Sequence, residues 1–284
     1  MPARNQYPIG SGPAGPAISV APFKNPWHKG EVVLLGSGDS ITSGYGASSG
    51  HAYFDLLISN DDAKHPDMQG RDLKHVLPNL ISFNYARPCT VSEEHLKEQI
   101  PRVKPFSKNV KGIVVITSGG NDLIHDYGRS SPKEGAMYGC TEQDALKWRS
   151  NYQKRLMGII DGVQKIFPGG CEIFIANIYD PTDGVGDIHH APLPLPPWPD
   201  GTKALRIFNQ AIGETCAEYP NVHPVDIHSE FMGHGIHCRD KRNKHYRPDD
   251  PHYWYFSNLE DPNDRGYDAI RRVFLREMVE VFAK

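Results

Sequence analysis

The chain has 284 residues, of which 38% are hydrophobic and 23% are charged, so its composition is that of a globular protein rather than a disordered or fibrous one. A formal net charge of −3 provides no basic surface of the kind that nucleic acids require, so nucleic acid is not an expected partner. No apolar run approaches the roughly 20 residues that a membrane-spanning helix needs, and residues 1–26 lack a signal-peptide pattern.

Residues 1–28 are rich in Pro, Gly and Ala, which predicts an extended arm on the surface of the protein. No internal repeat and no linker divides residues 29–284, so they are expected to form a single domain. The five cysteines are too few for a disulfide scaffold, and their odd number leaves at least one unpaired within the chain.

Short apolar runs alternate with helical stretches, which is the pattern of a parallel sheet built from βαβ units. Strands are predicted at 31–35, 80–84, 112–116, 172–176 and 222–225, and apolar residues at helical spacing predict helices over 152–167, 205–212 and 270–281. Pro224 cannot donate a backbone hydrogen bond, so the last strand is expected at an edge. The sequence therefore predicts one three-layer α/β/α domain with a five-stranded parallel sheet.

A serine follows the first predicted strand, in the segment Gly38-Asp39-Ser40, where the next helix should begin. A serine in that position keeps its own backbone N–H free to stabilise an oxyanion. A phosphate-binding turn is the alternative interpretation of this segment. A second polar segment, Gly119-Gly120-Asn121-Asp122, follows the third predicted strand.

These two segments, in this order and each after the corresponding strand, resemble the SGNH (GDSL) hydrolase superfamily, whose sequence blocks supply Ser, Gly, Asn and His. The resemblance extends over most of residues 31–284. It implies a flavodoxin-like α/β/α sandwich that hydrolyses esters through an acyl-enzyme on Ser40, without a cofactor. The backbone N–H of Ser40 and the amide of Asn121 would stabilise the oxyanion, with Gly38, Asp39 and Gly119 in supporting positions. The resemblance favours a secreted or periplasmic location, but the compartment stays open.

The second block of the family departs from its pattern in this chain. Asn84 begins the block as the family does, but Cys89 stands where a glycine is expected. Because that glycine acts through its backbone N–H, Cys89 could still be an oxyanion donor if its backbone conformation permits. The other interpretations are that Cys89 is a rival nucleophile, a structural thiol or one half of a disulfide.

The general base is the least regular part of the resemblance. The family places Asp-x-x-His directly before Pro-Asn, but here Pro262-Asn263 follows Asp261, and Asn258 stands three residues earlier. The segment Asp249-Asp250-Pro251-His252 has the required spacing and also leads into the last helix. We therefore predict His252 as the base and Asp249 as the carboxylate that orients it, with Asp250 as the nearest substitute.

Several alternatives remain open at this stage. The site could be catalytically degenerate and serve only for binding, or another histidine of the 228–262 loop could reach Ser40; the candidates are His234, His237 and His245. A metal-dependent phosphoesterase would use these residues with His228, His189 and His190. Structural calcium could bind Asp180, Asp183 and Asp187. The expected substrates are acylated carbohydrates or short acyl esters.

Overall fold

The computed structural model describes residues 7–124 and 138–283. A five-stranded sheet has the strand order β2-β1-β3-β4-β5, and every neighbouring pair is parallel. The strands are β1 (Val32–Gly38), β2 (Leu80–Asn84), β3 (Lys111–Thr117), β4 (Cys171–Ala176) and β5 (Val222–Val225). This order is that of flavodoxin-like folds, so the predicted fold class is confirmed.

The helices connect the strands and cover the sheet. The α-helices are α1 (Ser40–Ser43), α2 (Tyr53–Ile58), α3 (Leu73–Val76), α4 (Ser92–Glu94), α5 (Gly120–Ile124), α6 (Glu142–Ile166), α7 (Gly201–Ala217), α8 (Ile227–Phe231) and α9 (Asp264–Phe282). A π-helical turn spans His95–Gln99, and 3₁₀ turns span Ala21–Phe23, Pro66–Met68, Ile100–Arg102 and Ile188–His190. In the part of the chain that the structure describes, none of the helices combines the length and apolar character that a membrane crossing requires.

The burial of each strand depends on whether the strand lies at the centre or at an edge of the sheet. Strands β1, β3 and β4 lie at the centre and are buried along nearly their whole length, as expected for strands that helices cover on both faces. Strand β5 lies at one edge, as Pro224 predicted, and β2 lies at the other. Most of β2 is exposed, including Ile81 and Phe83.

Helix α9 is fixed at its start by the Pro262-Asn263 pair. The side-chain oxygen of Asn263 accepts hydrogen bonds from the N–H groups of Arg265 and Gly266, which are among the unpaired donors of the first turn. The amide of Asn263 in turn donates to the carbonyl of Tyr253 over 2.8 Å. This cap holds the residue before Pro262 at a defined place beside the sheet.

The N-terminal arm lies along α9 over its described residues, 7–28. The N–H of Ala14 donates to Asp268 Oδ2 over 3.2 Å, and Arg265 donates to the carbonyl of Gly12 over 2.7 Å. The ring of Tyr7 stacks on Tyr253, with the ring centroids 4.7 Å apart. The arm is therefore joined to the same helix that Asn263 caps.

Candidate active site

The candidate site lies where the strand order of the sheet reverses. Strands β1 and β3 are neighbours although β2 separates them in sequence, and Gly38 pairs with Thr117 at their carboxyl ends. In open parallel sheets, ligands bind in the crevice at such a switch point. Ser40 follows β1 and Asn121 follows β3, so the sheet brings the two predicted residues to one crevice.

Ser40 is the first residue of α1, and Asp39 is its N-cap. Asp39 Oδ1 accepts hydrogen bonds from the N–H of Ile41 over 3.1 Å and from the hydroxyl of Thr117 over 2.6 Å. Burial of this carboxyl raises its pKa to about 7. The N–H of Ser40 donates to no other described residue, so it is available to a ligand at the helix start.

Two glycines allow the strand ends to approach their neighbours. Gly38 has φ 135°, and a Cβ there would lie 2.1 Å from the carbonyl oxygen of Thr117. Gly119 has φ 102°, and a Cβ there would lie 2.6 Å from the hydroxyl of Tyr152. A residue with a Cβ would be strained at either position; at Gly38 it would press on β3, and at Gly119 it would press on Tyr152 of α6.

A hydrogen bond joins the segment that follows β3 to the segment that follows β2. The amide of Asn121 donates to the carbonyl of Thr90 over 2.9 Å, and the hydroxyl of Thr90 donates to the carbonyl of Gly38 over 3.1 Å. One amide hydrogen of Asn121 is used in this contact, which leaves the second for a ligand. Thr90 was not identified from the sequence as part of the site, because its contribution depends on this tertiary contact.

Cys89 takes the backbone conformation that glycine normally supplies. Its φ is 61°, in the left-handed region, and its side chain is an exposed free thiol. Its N–H donates to no other described residue. The conformation explains why the family has glycine at this position, and it leaves the Cys89 N–H available as the sequence prediction requires.

Asp261 lies beside Ser40. Its side chain is buried, and Asn258 donates an amide hydrogen bond to its Oδ2 over 2.6 Å. Burial raises the pKa of the Asp261 carboxyl, while the contact with the Ser40 hydroxyl and the Asn258 hydrogen bond both lower it. Oδ1 of Asp261 makes no conventional hydrogen bond to a described residue, so it keeps unused acceptor capacity.

The turn that carries Asp261 is held from two sides. The N–H of Phe256 donates to the carbonyl of Asp261 over 2.7 Å, and Tyr255 pairs with Pro262 in an antiparallel bridge. The hydroxyl of Tyr179 donates to the carbonyl of Glu260 over 2.5 Å. The position of the carboxyl is therefore set by the backbone around it and not only by its contact with Ser40.

His252 has a carboxylate partner, but the partner is Asp250. Nδ1 of His252 lies 2.5 Å from Asp250 Oδ1, and Asp250 also forms an ion pair with Arg265 at 2.6 Å. Asp249, the predicted orienting residue, is exposed and bonds to no described residue. The hydrogen-bond partner of His252 is the carboxylate two residues before it, Asp250. The Asp-x-x-His spacing of Asp249 and His252 therefore does not correspond to a hydrogen bond.

The predicted base and the predicted nucleophile are not in contact. The His252 ring packs instead beside Gly10 of the N-terminal arm. Among residues 7–124 and 138–283, no histidine nitrogen forms a hydrogen bond with Ser40.

Three other histidines of the 228–262 loop have local partners for their rings. His234 stacks on Trp254 with ring centroids 3.4 Å apart, and burial lowers its pKa to about 4. His237 Nε2 lies 2.8 Å from Asp187 Oδ1, which also explains part of the lowered pKa of Asp187. His228 Nδ1 contacts the carbonyl of Ile178 over 2.9 Å.

The aspartates considered for calcium accept hydrogen bonds from the protein. Asp183 accepts from the backbone N–H groups of Gly233, Gly235 and His237. Asp180 accepts from Thr182 and Gly184, and Asp187 contacts His190 and His237. Within the described residues, no group of three or more His, Cys, Asp or Glu side chains is arranged to hold a metal ion.

An apolar cavity of about 70 Å³ adjoins the site. Leu123 and Ile124 of α5 form part of its wall, directly after Asn121. Tyr179, which bonds to the residue before Asp261, forms another part. The remaining lining includes Tyr138, Ile188, Trp198 and Leu205. The cavity therefore adjoins both the segment that carries Asn121 and the turn that carries Asp261.

The sequence profile of the GDSL-like Lipase/Acylhydrolase family matches residues 37–269. The chain belongs to this family. Its matched region includes both Ser40 and Asp261, and the family is one of hydrolases. No curated protein sequence matches the chain.

Solved structures of similar fold include a lipase and a phospholipase. An extracellular lipase from Streptomyces rimosus is 14% identical, with a TM-score of 0.56, over 87% of this chain and 99% of the lipase. A phospholipase A1 from Streptomyces albidoflavus is 16% identical, with a TM-score of 0.50, over 88% of this chain and 100% of the phospholipase. A gut microbial diltiazem-metabolizing enzyme is 13% identical, with a TM-score of 0.54, over 89% of this chain and 48% of that enzyme. These likenesses establish a shared fold.

Proposed function

We propose that this GDSL-family protein hydrolyses carboxylic esters of short acyl groups, with Ser40 as the nucleophile of an acyl-enzyme mechanism. The observation that carries the proposal is the convergence of Ser40, Asn121 and Cys89 at the switch point of the sheet. Each of the three residues offers an N–H group with no competing partner among the described residues. Three such donors at one edge suit the negative charge that develops on an ester carbonyl oxygen.

In this mechanism the Oγ of Ser40 attacks the carbonyl carbon of the ester. The N–H groups of Ser40 and Cys89 and the free amide hydrogen of Asn121 receive the developing oxyanion. The Ser40 donor lies at a helix start, the Cys89 donor lies in a left-handed backbone position, and the Asn121 amide is held by its hydrogen bond to Thr90. Because the donors are already in place, little reorganisation accompanies the reaction. Water then attacks the acyl-enzyme in the same geometry and releases the acid.

The apolar cavity supports a short acyl group. Its volume is about 70 Å³, and a single bound water needs roughly 10–15 Å³. We infer that the acyl group of the ester enters this cavity, whose limited volume favours a group of a few heavy atoms, such as acetyl to butyryl, over a long fatty chain. Acetyl groups on carbohydrates belong to the same substrate class.

A non-catalytic binding protein on the same fold is the second candidate function. It is favoured by one observation, namely that Ser40 contacts a carboxyl and no histidine among the described residues. His252 could serve Ser40 only if the 249–252 segment left Asp250 and moved toward the sheet edge. A metal-dependent phosphoesterase has less support, because no group of three or more His, Cys, Asp or Glu side chains in the described loops is arranged to hold a metal ion.

The test combines covalent labelling with ester hydrolysis. The protein is treated with a fluorophosphonate, its peptides are mapped by mass spectrometry, and hydrolysis of p-nitrophenyl esters from acetate to octanoate and of acetylated xylo-oligosaccharide is measured. We expect an adduct on Ser40, hydrolysis that is fastest for the short esters, and no activity in Ser40→Ala. Ser43→Ala, in the same helix, is the matched control and should remain active. An unlabelled Ser40 together with no hydrolysis of any substrate would favour the binding protein.

A further inference from the structure

The carboxyl beside Ser40 occupies the sequence position where the family resemblance places its histidine. Asn258, Asp261 and Pro262-Asn263 stand where Asp-x-x-His-Pro-Asn is expected. Asn263 caps α9, which begins at Asp264, so the turn before the last helix directly precedes the helix as the resemblance implies. What differs between this chain and the expected pattern is the chemistry of two side chains in that turn.

The two replaced side chains have complementary contacts. Asn258 donates to Oδ2 of Asp261 over 2.6 Å, and its own side-chain oxygen accepts from the N–H of Asp261 over 3.1 Å. Asp261 contacts the Ser40 hydroxyl, and its Oδ1 has no conventional hydrogen bond to a described residue. One carboxyl oxygen is therefore fixed by Asn258, and the other is available for a proton.

The exchange keeps the net charge of the turn unchanged. A neutral histidine with an ionised aspartate carries a charge of −1, and so does an ionised Asp261 with the neutral amide of Asn258. In the usual triad the aspartate orients the imidazole and stabilises it when it is protonated. Here Asn258 orients the carboxylate, and because its amide does not titrate, the negative charge stays on the side chain that contacts Ser40.

We propose that Asp261 takes the proton of Ser40 during ester hydrolysis and that Asn258 is the residue that positions it. This proposal rests on the proposed function of Ser40. As Ser40 Oγ bonds to the carbonyl carbon, its proton moves to Asp261 and the carbonyl electron pair moves to the oxygen. When the carbonyl re-forms, the bond to the leaving alkoxide breaks, and Asp261 gives its proton to that oxygen. Water repeats the sequence: its proton goes to Asp261 and then to Ser40 Oγ as the acid leaves.

The surroundings of Asp261 make it a stronger base than an exposed carboxylate. Its side chain is buried, and the negative charge of Glu260 acts in the same direction, so the pKa is raised. Asp39, Tyr179 and Tyr267 also lie close enough for electrostatic coupling with Asp261. No cationic side chain among the described residues is paired with Asp261 to offset this. A base with a raised pKa removes a hydroxyl proton more readily.

The decisive comparison is between Asp261→Asn and His252→Ala in the full chain, with hydrolysis of p-nitrophenyl acetate as the measurement. Loss of a general base typically costs 10²- to 10⁴-fold, so we expect kcat of Asp261→Asn to fall by about that factor. His252→Ala should keep the wild-type kcat, because its ring contacts Asp250 and the arm and not Ser40. Asp261→His, which restores the residue type of the family, should recover activity with an acid limb near the histidine pKa of about 6.5.

Two measurements keep the test valid if Asp261→Asn fails to fold. Thermal unfolding identifies such a failure, and the fluorophosphonate labelling rate of the wild type and of His252→Ala is then compared across pH. Superimposable pH profiles of the two labelling rates support Asp261 as the base. Loss of labelling in His252→Ala overturns that assignment. Full activity in a folded Asp261→Asn also overturns the assignment of Asp261 as the base, while the proposal that Ser40 is the nucleophile stands. If the wild type is neither labelled nor active, the proposed function fails first and this assignment fails with it.

Discussion

Asn258 and Asp261 form a reciprocal pair in which the amide of Asn258 donates to Oδ2 of Asp261 over 2.6 Å and the backbone N–H of Asp261 donates back to Asn258 over 3.1 Å. The pair closes the turn that precedes α9, and the carboxyl that it holds contacts Ser40. A short polar turn thereby connects the start of the last helix with the start of the first helix.

Removal of the Asn258 amide should move the acid limb of the pH–rate profile. Asn258 lowers the pKa of Asp261, so Asn258→Ala raises it. Activity that needs the ionised carboxyl is lost as pH falls through this pKa, so the limb should shift to higher pH. A hydrogen bond to a charged group contributes about 1.5–3 kcal/mol, which corresponds to roughly one to two pH units. The measurement is kcat/KM between pH 4 and 9. Asn79→Ala, in an exposed loop, is the control, and an unshifted limb would contradict the proposed pairing.

Asn121→Ala should reduce kcat with little effect on KM. An oxyanion donor acts mainly in the transition state, and loss of one such donor typically costs about 10²–10³ in rate. The variant also removes the hydrogen bond to the Thr90 carbonyl, so unfolding must be measured in parallel. Asn177→Ala removes a comparable amide contact, to Asp226 at 2.8 Å, outside the predicted oxyanion site. Equal losses in the two variants would argue against a role for Asn121 in the transition state.

Cys89→Gly should retain activity and should not lower the free energy of unfolding. The left-handed backbone at φ 61° costs a residue with a Cβ about 1–2 kcal/mol, and glycine avoids that cost while keeping the N–H. Cys89→Pro removes the N–H and cannot adopt this φ, so it should lose activity. Hydrolysis of p-nitrophenyl acetate and thermal unfolding check both variants.

The thiol of Cys89 provides an independent check on the same position. Cys89 is exposed, whereas Cys140, Cys171, Cys216 and Cys238 are buried, so one thiol should react rapidly with a disulfide reagent in the native protein. The mixed disulfide should inhibit hydrolysis by its bulk, and a reductant should restore it. Cys89→Gly should be insensitive to the reagent, and inhibition in that variant would place the effect elsewhere.

Asp39 should make the protein less stable as the pH rises. Its folded pKa is about 7, whereas an unfolded Asp titrates near 3.9. The folded state therefore binds the proton more tightly, and its contribution is complete below about pH 4 and is lost as pH rises to about 7. Asp39→Asn should flatten this dependence, which urea unfolding between pH 4 and 8 would measure. Asp62→Asn, at an exposed position, is the control, and parallel curves for wild type and Asp39→Asn would contradict the prediction.

The positions of the strands and of the glycine-rich segments could be predicted from the sequence, because they depend on local patterns of residues. The predicted strands at 80–84 and 222–225 coincide with β2 and β5, because short runs that contain β-branched or aromatic residues favour extended backbone. Pro224 indicated the edge position of its strand, since its missing N–H is tolerated there. The glycine-rich segments were placed correctly after β1 and β3, and parallel strands end at the same edge of the sheet.

The contacts between side chains at the site could not be predicted from the sequence, because they depend on how distant segments pack together. The Asp-x-x-His spacing of Asp249 and His252 predicted a pair, but His252 pairs with Asp250 instead, and its ring packs beside Gly10 of the N-terminal arm. Asp261 and Asn258 stand where the resemblance expects His and Asp, but their residue types alone indicate neither the burial of the Asp261 carboxyl nor its contact with Ser40. The antiparallel bridge between Tyr255 and Pro262 brings Asp261 to Ser40, and a contact across more than two hundred residues leaves no periodic signal in the sequence.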